Sequence, residues 1–398
     1  MRRPVTSNPR PGVIQALLLM LAGMLPVMGT LTMLPIMPVL FQHFSSHPHV
    51  QLLVPMIVTL PSISMALIAP LAGMAADRLS RRRLLMYATG IYALFGLMPL
   101  LLNDLYAILL VRLGMGIADA FILTTANALI GDYFTGEQRS RWLAIQGGVG
   151  SVIATLIILC SGVLGQFGWT GPVYLYALAI PIFLGLLFFT HETAARPDEE
   201  TEQTQTAPFP RRKMAIIALV TLGSSVIYFL EPLQISQVFS LLGMQSSSQT
   251  GLATAIAGVG VPLGAWFYGR LARKPVEKQL LWFYSIYGTG LLLIALAGNQ
   301  AAGVAAAFVA QTGNGLFIPL MLGWVMKAIP SAHRAKGMGI WHACFFLGMF
   351  ISPILVTLTT GVTGNLQETL RVFAWLTLLA GVLLTASRRM PRALSLSS

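Results

Sequence analysis

The sequence is short of charge. Only 10% of its 398 residues are Asp, Glu, Lys or Arg, whereas 56% are hydrophobic. A soluble domain carries about 25% charged residues. A chain of this length with so few polar side chains cannot cover its own surface, so we expect its apolar surface to face lipid. A transmembrane β-barrel is excluded, because its strands are about ten residues long and alternate in polarity, which these longer apolar runs do not.

Cysteine and catalytic motifs are scarce as well. Cys160 and Cys344 are the only cysteines and lie far apart in apolar runs, outside any spacing typical of a disulfide framework or a zinc site. His43, His47 and His49 cluster, but with no carboxylate close by in the sequence, so we predict no metal site. No phosphate-binding loop and no hydrolase or metalloprotease motif is present. The sequence therefore predicts a protein that is not an enzyme and needs no cofactor.

Twelve apolar runs are bounded by charges or by Pro, Gly and Asn clusters. A helix needs about 20 residues to cross the hydrocarbon of a bilayer, and most of the runs reach that length. They predict an all-α polytopic membrane protein with twelve transmembrane helices. The runs are 13–41, 50–75, 84–102, 105–131, 142–165, 170–190, 214–242, 249–269, 279–297, 301–327, 337–362 and 368–387.

Lys and Arg orient these spans. If the N-terminus is cytoplasmic, 23 of the 25 basic residues fall in cytoplasmic segments, and only Arg112 and Arg371 fall elsewhere. Cytoplasmic loops of membrane proteins carry this excess of positive charge. We therefore predict a multi-pass protein of the cell (inner) membrane, acting as a monomer, with both termini in the cytoplasm. The same distribution explains the net charge of +12 without a nucleic-acid partner.

The chain repeats itself across a polar linker. Residues 191–213 are rich in Glu, Thr, Gln and Pro, and divide the chain into six-span halves at 1–190 and 214–398. The segment APLAGMAADRLSRR (69–82) aligns with VPLGAWFYGRLARK (261–274), and VRLGMGI (111–117) aligns with AQTGNGL (310–316). Such repeats are typical of transporters that move two bundles about a site at the membrane midplane.

The run GMAADRLSRRR (73–83) resembles the loop 2–3 signature of the major facilitator superfamily. It matches at the first Gly, the Asp and the basic residues, and departs at Ala75 and Ser80. The stretch around Arg112 resembles the fourth-span motif of the same family. The resemblance implies two pseudo-symmetric six-helix bundles and a conformational latch in which Asp77 faces the start of the eleventh span. Its candidate residues are Gly73, Asp77, Arg78, Arg81 and Arg82.

Gly73 in this run is also expected on physical grounds at a tight turn where two helices approach closely. The arginines around it either anchor the topology or take part in the latch. Asp132 is expected only at a helix end near the cytoplasmic rim.

Charged residues inside the spans are the candidate coupling groups. Arg112 and Asp119 lie well inside span four, where a charge costs roughly 2.5–3.5 kcal/mol on insertion scales. They share a helix face but stand about 10 Å apart along the axis. Glu231 lies in span seven beside Pro232, which frees backbone carbonyls where a helix lines a cavity. Each residue either pairs structurally with a neighbouring helix or faces the transport cavity, and the resemblance links Arg112 to proton coupling.

Three neutral residues are weaker candidates for the cavity. Gln311, Asn314 and His342 lie in apolar spans, where a lone polar side chain either makes an interhelical hydrogen bond or lines the cavity.

Two functions remain open at this level. The first is proton-coupled export of a drug-like compound or an endogenous metabolite such as a siderophore-like molecule, since the chain resembles the twelve-span drug:proton antiporters. Against it, the region 147–169 lacks the Pro of their fifth-span motif. The second is proton-coupled uptake of a small polar solute such as a sugar or an organic anion. The substrate, the direction of transport and the coupling ion are not fixed by the sequence.

Overall fold

The computed structural model describes residues 12–134, 136–192, 209–330 and 333–386. These residues form fifteen α-helices, and no strand occurs among them. The helices are α1 (Val13–Leu31), α2 (Met37–His43), α3 (Val50–Arg78), α4 (Arg81–Leu97), α5 (Leu105–Tyr133), α6 (Gly136–Leu164), α7 (Ala179–Phe189), α8 (Arg211–Tyr228), α9 (Leu230–Leu241), α10 (Ser247–Gly258), α11 (Gly260–Leu271), α12 (Val276–Leu296), α13 (Gln300–Ala328), α14 (Arg334–Thr363) and α15 (Leu366–Ala386).

Twelve segments of the described chain are long and apolar enough to cross a membrane, which confirms the predicted all-α fold. The sixth span joins a 3₁₀ segment, Gly171–Leu178, to α7. The seventh joins α8 to α9, and the eighth joins α10 to α11. If all twelve segments cross, the chain ends on the side on which it began. We call the face where α1 begins and α15 ends the near face, and the opposite face the far face.

The two broken spans share one cause. Pro232 cannot donate to the carbonyl of Tyr228, and Pro262 cannot donate to the carbonyl of Gly258, because proline has no backbone N–H. The helix breaks directly after each of these carbonyl residues, between α8 and α9 and between α10 and α11. Both breaks lie mid-span, where only a protein interior or a cavity tolerates irregular backbone.

The first span is shorter than predicted. The apolar run 13–41 suggested one long helix, but α1 ends at Leu31 and a separate short helix, α2, begins at Met37. Pro35 lies in the connecting turn and disfavours helical backbone at the residue before it. The hydrophobicity of the run predicted one long helix, but the turn that contains Pro35 divides it into two.

The repeated G-x-G motif occupies the same place in both halves. In α5 a Cβ on Gly116 would lie 2.3 Å from the carbonyl oxygen of Pro61 in α3. In α13 a Cβ on Gly315 would lie 2.1 Å from the carbonyl oxygen of Val261 in α11. In each half, therefore, the fourth span touches the second backbone to backbone at the second glycine of the motif. The repeat in the sequence therefore corresponds to the same helix packing in both halves.

The two bundles meet through pairs of helices related by this repeat. Across their boundary α3 packs against α14, α6 against α10 and α2 against α9. On the far side, Ser236 donates to the carbonyl of Leu34 at 2.6 Å, and Thr357 donates to the carbonyl of Gln51 at 3.1 Å. A Cβ on Gly162 of α6 would lie 3.0 Å from the Cα of Gly251 in α10. These contacts join the halves at the far face.

Candidate functional site

A cavity of about 500 Å³ lies between the two bundles. It lies at the level of both helix breaks, and no charged side chain of the described residues lines it. Most of its wall is apolar. The lining residues are Thr30, Leu31, Leu34, Ser151, Val152, Ala154, Thr155, Ile158, Tyr228, Phe229, Pro232, Leu233, Thr254, Ala255, Gly258, Val259, Val261, Pro262 and Gln311.

Gln311 connects this cavity to a buried carboxylate. Its side chain lines the cavity, and its Nε2 donates to Oε2 of Glu231 at 2.6 Å. Glu231 is only 2% exposed, and its other oxygen, Oε1, has no hydrogen-bond partner. A buried charge with an unfilled acceptor is costly. The Glu231–Gln311 pair therefore places a carboxylate one side chain away from the cavity, with one oxygen free to take a proton.

The helix break beside Glu231 is held by neutral groups. The carbonyl of Tyr228, freed by Pro232, accepts from the Tyr287 hydroxyl at 3.1 Å and from Asn314 Nδ2 at 3.3 Å. The Tyr287 hydroxyl also accepts from the backbone N–H of Glu231 at 3.0 Å. Asn314 thus positions the break, as a structural interhelical hydrogen bond would, rather than lining the cavity.

The N-terminal half buries a full positive charge instead. Arg112 is 1% exposed, and all its described hydrogen bonds go to neutral groups. Its Nε donates to the carbonyl of Ile57 at 2.6 Å, and its Nη2 to that of Gly29 at 2.6 Å. Pro61 leaves the Ile57 carbonyl without its helical donor. With a further bond from Nη1 to the Tyr176 hydroxyl at 3.0 Å, Arg112 ties α5 to α1, α3 and the sixth span.

Asp119 is buried near this arginine but does not pair with it. It is 1% exposed, its Oδ1 has no hydrogen-bond partner, and no ion pair joins it to Arg112 within the described chain. Its Oδ2 and the Tyr92 hydroxyl lie 3.7 and 3.5 Å from where a Cβ on Gly29 would stand. Asp119 does not line the cavity between the bundles. The two buried carboxylates therefore sit in different halves and different surroundings.

His342 stays within its own helix. Its Nδ1 bonds to the carbonyl of Met338 at 2.9 Å, and its ring lies against Trp341 and Phe346. It is not among the residues that line the central cavity.

Arg81 and Arg82, at the start of α4, bind within their own bundle. Arg81 Nη1 lies 2.7 Å from Oδ1 of Asp132 at the end of α5, so Asp132 is an ion-pair partner as well as the helix-end residue predicted. Arg82 donates to Thr190 Oγ1 at 3.0 Å and to the carbonyl of Leu187 at 2.8 Å. These bonds connect the ends of spans three, four and six at the near face.

The expectation for Gly73 was wrong. It lies inside α3, which continues to Arg78, and no heavy atom stands within 4 Å of where its Cβ would be. The turn falls at Leu79 and Ser80, whose hydroxyl caps α4. Arg78 is exposed, and the side chain of Asp77 lies outside the described structure. The latch assigned to this run by resemblance stays a prediction.

Comparison with known proteins decides the family. The family model described as Major Facilitator Superfamily matches residues 19–275 and 214–396. This chain belongs to the major facilitator superfamily. Among curated relatives, the class H tetracycline resistance protein of Pasteurella multocida is 24% identical over 85% of this chain and 87% of its own length. The Multidrug resistance protein 2 of Bacillus subtilis (strain 168) is 24% identical over 58% of this chain and 61% of its own.

Solved structures of other transporters share the fold of this superfamily member. The nucleoside transporter NupG superposes with a TM-score of 0.75 at 15% identity, covering 94% of this chain and 99% of that one. A bacterial homologue of the human lysosomal transporter Spinster, in an inward-facing and occupied conformation, superposes with a TM-score of 0.72 at 15% identity, covering 98% and 97%.

Sequence reasoning missed the buried tyrosines that complete both sites. Tyr92, Tyr176 and Tyr287 are fully buried, and the hydroxyl of each donates to a backbone carbonyl. A tyrosine in an apolar run resembles any other packing residue. For Tyr176 and Tyr287 the usable signal was the helix end or the proline that leaves a carbonyl without its helical donor.

Proposed function

We propose that this protein is a proton-coupled exporter of drug-like compounds that works by alternating access. The observation that carries the proposal is the cavity of about 500 Å³ between the bundles, whose lining Gln311 is hydrogen-bonded to the buried carboxylate of Glu231. The cavity is the substrate site, and Glu231 is the group that exchanges a proton against the substrate.

The cavity wall supports a mainly apolar cargo. Aliphatic and aromatic side chains such as Ile158 and Phe229 form most of it, while Thr155, Thr254 and Gln311 supply isolated polar contacts. Ligand sites of this kind bind drug-sized molecules with a few polar groups. A sugar would leave many of its hydroxyls unpaired in such a wall, at a cost for each. The names of the relatives, which refer to resistance to tetracycline and to several drugs, agree with this cargo.

The cargo is neutral or cationic. Gln311 in the cavity wall is hydrogen-bonded to the carboxylate of Glu231, whereas the guanidinium of Arg112 is enclosed by its own partners. An anionic compound would find no counter-charge among the described residues of the wall. A donor group on a neutral or cationic compound can replace a proton at Glu231, which links binding on one side to proton release.

The contacts that join the halves at the far face support a state that is closed on that side. We propose that the near face is cytoplasmic, in line with the distribution of Lys and Arg, and that both termini lie there in the cell membrane. The bundles are then 1–190 and 214–398, and their linker at 191–213 lies largely outside the described residues. Export requires the far-face contacts of Ser236 and Thr357 to break as the near face closes.

Asp119 has a different part in this scheme. It stands in the half that holds Arg112 and does not line the cavity. We assign it to the conformational equilibrium of the N-terminal bundle, and not to the exchange of proton for substrate.

Reconstitution tests the assignment. Purified protein in liposomes with an imposed pH gradient is given tetracycline as a neutral to zwitterionic probe, ethidium as a cationic probe and an anionic dye. Wild type is expected to move the first two and to dissipate the proton gradient as it does so. Glu231→Gln keeps the shape of the side chain and is expected to abolish gradient-driven movement, while counterflow of unlabelled against labelled probe continues.

The control is Glu368→Gln, since Glu368 is a surface carboxylate in an exposed ion pair with Arg371 at 2.9 Å. It should behave as wild type. Asp119→Asn should retain coupling at a reduced rate. Full coupling in Glu231→Gln would overturn the assignment, and accumulation of a sugar or organic anion in place of both drug probes would favour uptake of a polar solute.

A further inference from the structure

A second chamber lies between the bundles at the far face. Its volume is about 400 Å³, and it is enclosed by α2, α3, α9, α14 and the start of α15. Unlike the central cavity, it is lined by three glutamines, Gln51, Gln234 and Gln237, together with Thr357 and Thr360. We call it the glutamine chamber.

Thr357 and Thr360 are hydrogen-bonded within the fold, but the amides of two of the chamber's glutamines are not. Gln234 is only 3% exposed, yet its side-chain amide forms no hydrogen bond with any described residue and is directed into the chamber. Polar groups at buried positions are normally paired, and an amide that reaches the chamber can pair with a group that enters it. Gln237, one turn further along α9, lines the same chamber and also makes no such bond. The amides are thus available to form hydrogen bonds with a compound that enters the chamber.

One helix, α9, runs past both the central site and the chamber. Glu231, Gln234 and Gln237 follow at intervals of three residues in α9, so successive members lie about one turn apart. Glu231 reaches the central cavity through Gln311, whereas Gln234 and Gln237 reach the glutamine chamber. A compound that leaves the central cavity toward the far face would therefore pass from the carboxylate to the amides.

We propose that the glutamine chamber is a second binding site, which takes a neutral, hydrogen-bonding compound with an apolar body: the exported compound on its way out. The amides of Gln234 and Gln237 both donate and accept, so they hold carbonyl, hydroxyl and amide groups equally well. Phe41 and Leu366 supply the apolar wall, and within the described part of the chain no charged side chain lines the chamber. The site favours uncharged forms of the cargo, in contrast to the carboxylate at the central site.

The proposal rests on the proposed function only for the identity of its occupant, so occupancy is measured without a proton gradient. A cysteine is placed at Gly361, which lines the chamber and has open space around the position of a Cβ. The background carries Cys160→Ser and Cys344→Ser. Spheroplasts or right-side-out vesicles are labelled with a membrane-impermeant thiol reagent, with and without tetracycline on the far side. The matched control is Val362→Cys, at the next residue of α14, which is 88% exposed and does not line the chamber.

At a tetracycline concentration ten times its Kd, occupancy is about 90%, so labelling of Gly361→Cys should slow about tenfold while labelling of Val362→Cys stays constant. Adding Gln234→Leu should weaken the protection by between about twofold and tenfold, the loss expected for one hydrogen bond. Gln234→Asn, which keeps the amide, should restore part of it. Ethidium, a permanent cation, should protect much less.

Each contrary result overturns the proposal. Equal protection of both cysteines would mean a general effect of the probe on the membrane. Unchanged protection in Gln234→Leu would remove the amide from the site, and no protection at any concentration that supports transport would remove the site. Protection that persists in Glu231→Gln supports the glutamine chamber even if coupling through Glu231 proves wrong, so the two proposals fail separately.

Discussion

The two halves of this transporter differ in the side chains that bind a backbone carbonyl left without its helical donor. Each has a proline that deprives a mid-span carbonyl of its helical donor, at Ile57 before Pro61 and at Tyr228 before Pro232. In the N-terminal half a buried arginine donates to the freed carbonyl, whereas in the C-terminal half a tyrosine and an asparagine do so. Arg112 bonds the helices of the N-terminal half to one another, whereas the neutral groups of the C-terminal half leave a carboxylate beside the cavity. On the proposed function, the N-terminal half holds its shape and the C-terminal half responds to a proton.

The largest effect should come from the packing that the halves share. Gly116→Ala and Gly315→Ala each place a Cβ within 2.3 Å of a backbone oxygen, which cannot move aside as a flexible side chain can. Each is expected to cost about 3 kcal/mol or more and to cut sharply the yield of monodisperse protein on size-exclusion chromatography. Gly223→Ala, where no atom stands within 4 Å of the new Cβ, is the control. Tolerance of one alanine but not of the other would break the equivalence of the halves.

Arg112 and Gln311 occupy matching positions two residues before the two G-x-G motifs, and exchanging them tests the chemical difference. Arg112→Gln removes donors from the carbonyls of Ile57 and Gly29, and we expect a loss of about 2 kcal/mol, seen as a lowered Tm in detergent. Gln311→Arg places a cation against Glu231 and should leave the Tm almost unchanged while abolishing transport. If Arg112→Gln spared stability and destroyed only coupling, the N-terminal site would not be an anchor.

The paired tyrosines sharpen the comparison further. Tyr176→Phe and Tyr287→Phe each remove a hydroxyl that donates to a backbone carbonyl, at 3.0 and 3.1 Å, and each should cost about 1 kcal/mol. Their effects on transport should differ. Tyr287 also accepts from the backbone N–H of Glu231, so Tyr287→Phe should change the KM for the drug probe, while Tyr176→Phe should not. Identical KM values in both variants would contradict this division of roles.

The smallest effects belong to the ion pairs at the two faces. Asp132→Asn weakens a pair at the near face whose side chains are 6% and 22% exposed, and should lower stability by about 1 kcal/mol. Glu368→Gln weakens the exposed pair with Arg371, with side chains 42% and 39% exposed, and should change stability by less than about 0.5 kcal/mol. Thermal denaturation of both variants at low and high salt checks the ranking, which a larger effect for Glu368→Gln would reverse.

Span number, the repeat and the family could be predicted from the sequence because each rests on many residues. Hydrophobicity over 20 residues identifies a span, and the paired G-x-G motifs identify the fourth span of each half. Individual partners could not be predicted, because they depend on contacts between distant segments. Glu231 and Gln311 are 80 residues apart, and nothing in either run indicates that they meet.

The sequence-based prediction was wrong for Gly73, because a glycine can lie either at a close helix approach or in an open part of a helix. Gly73 suggested a close helix approach, yet it lies in open space inside α3, while Gly116 and Gly315 carry the close approaches. Proline, in contrast, was informative, because it identifies the carbonyl four residues earlier as one without its helical donor. Pro61 and Pro232 mark the acceptors of both buried sites, and the donors to them could have been sought among the polar residues of neighbouring spans.

The measurement closest to the central claim is the proton release that accompanies substrate binding. Purified protein in weakly buffered detergent solution with a pH-sensitive dye is mixed with tetracycline, and the protons released per bound molecule are counted. We expect wild type and Asp119→Asn to release protons to the same extent, and Glu231→Gln to bind tetracycline with no release. Undiminished release from Glu231→Gln, or its loss in Asp119→Asn alone, would contradict the account.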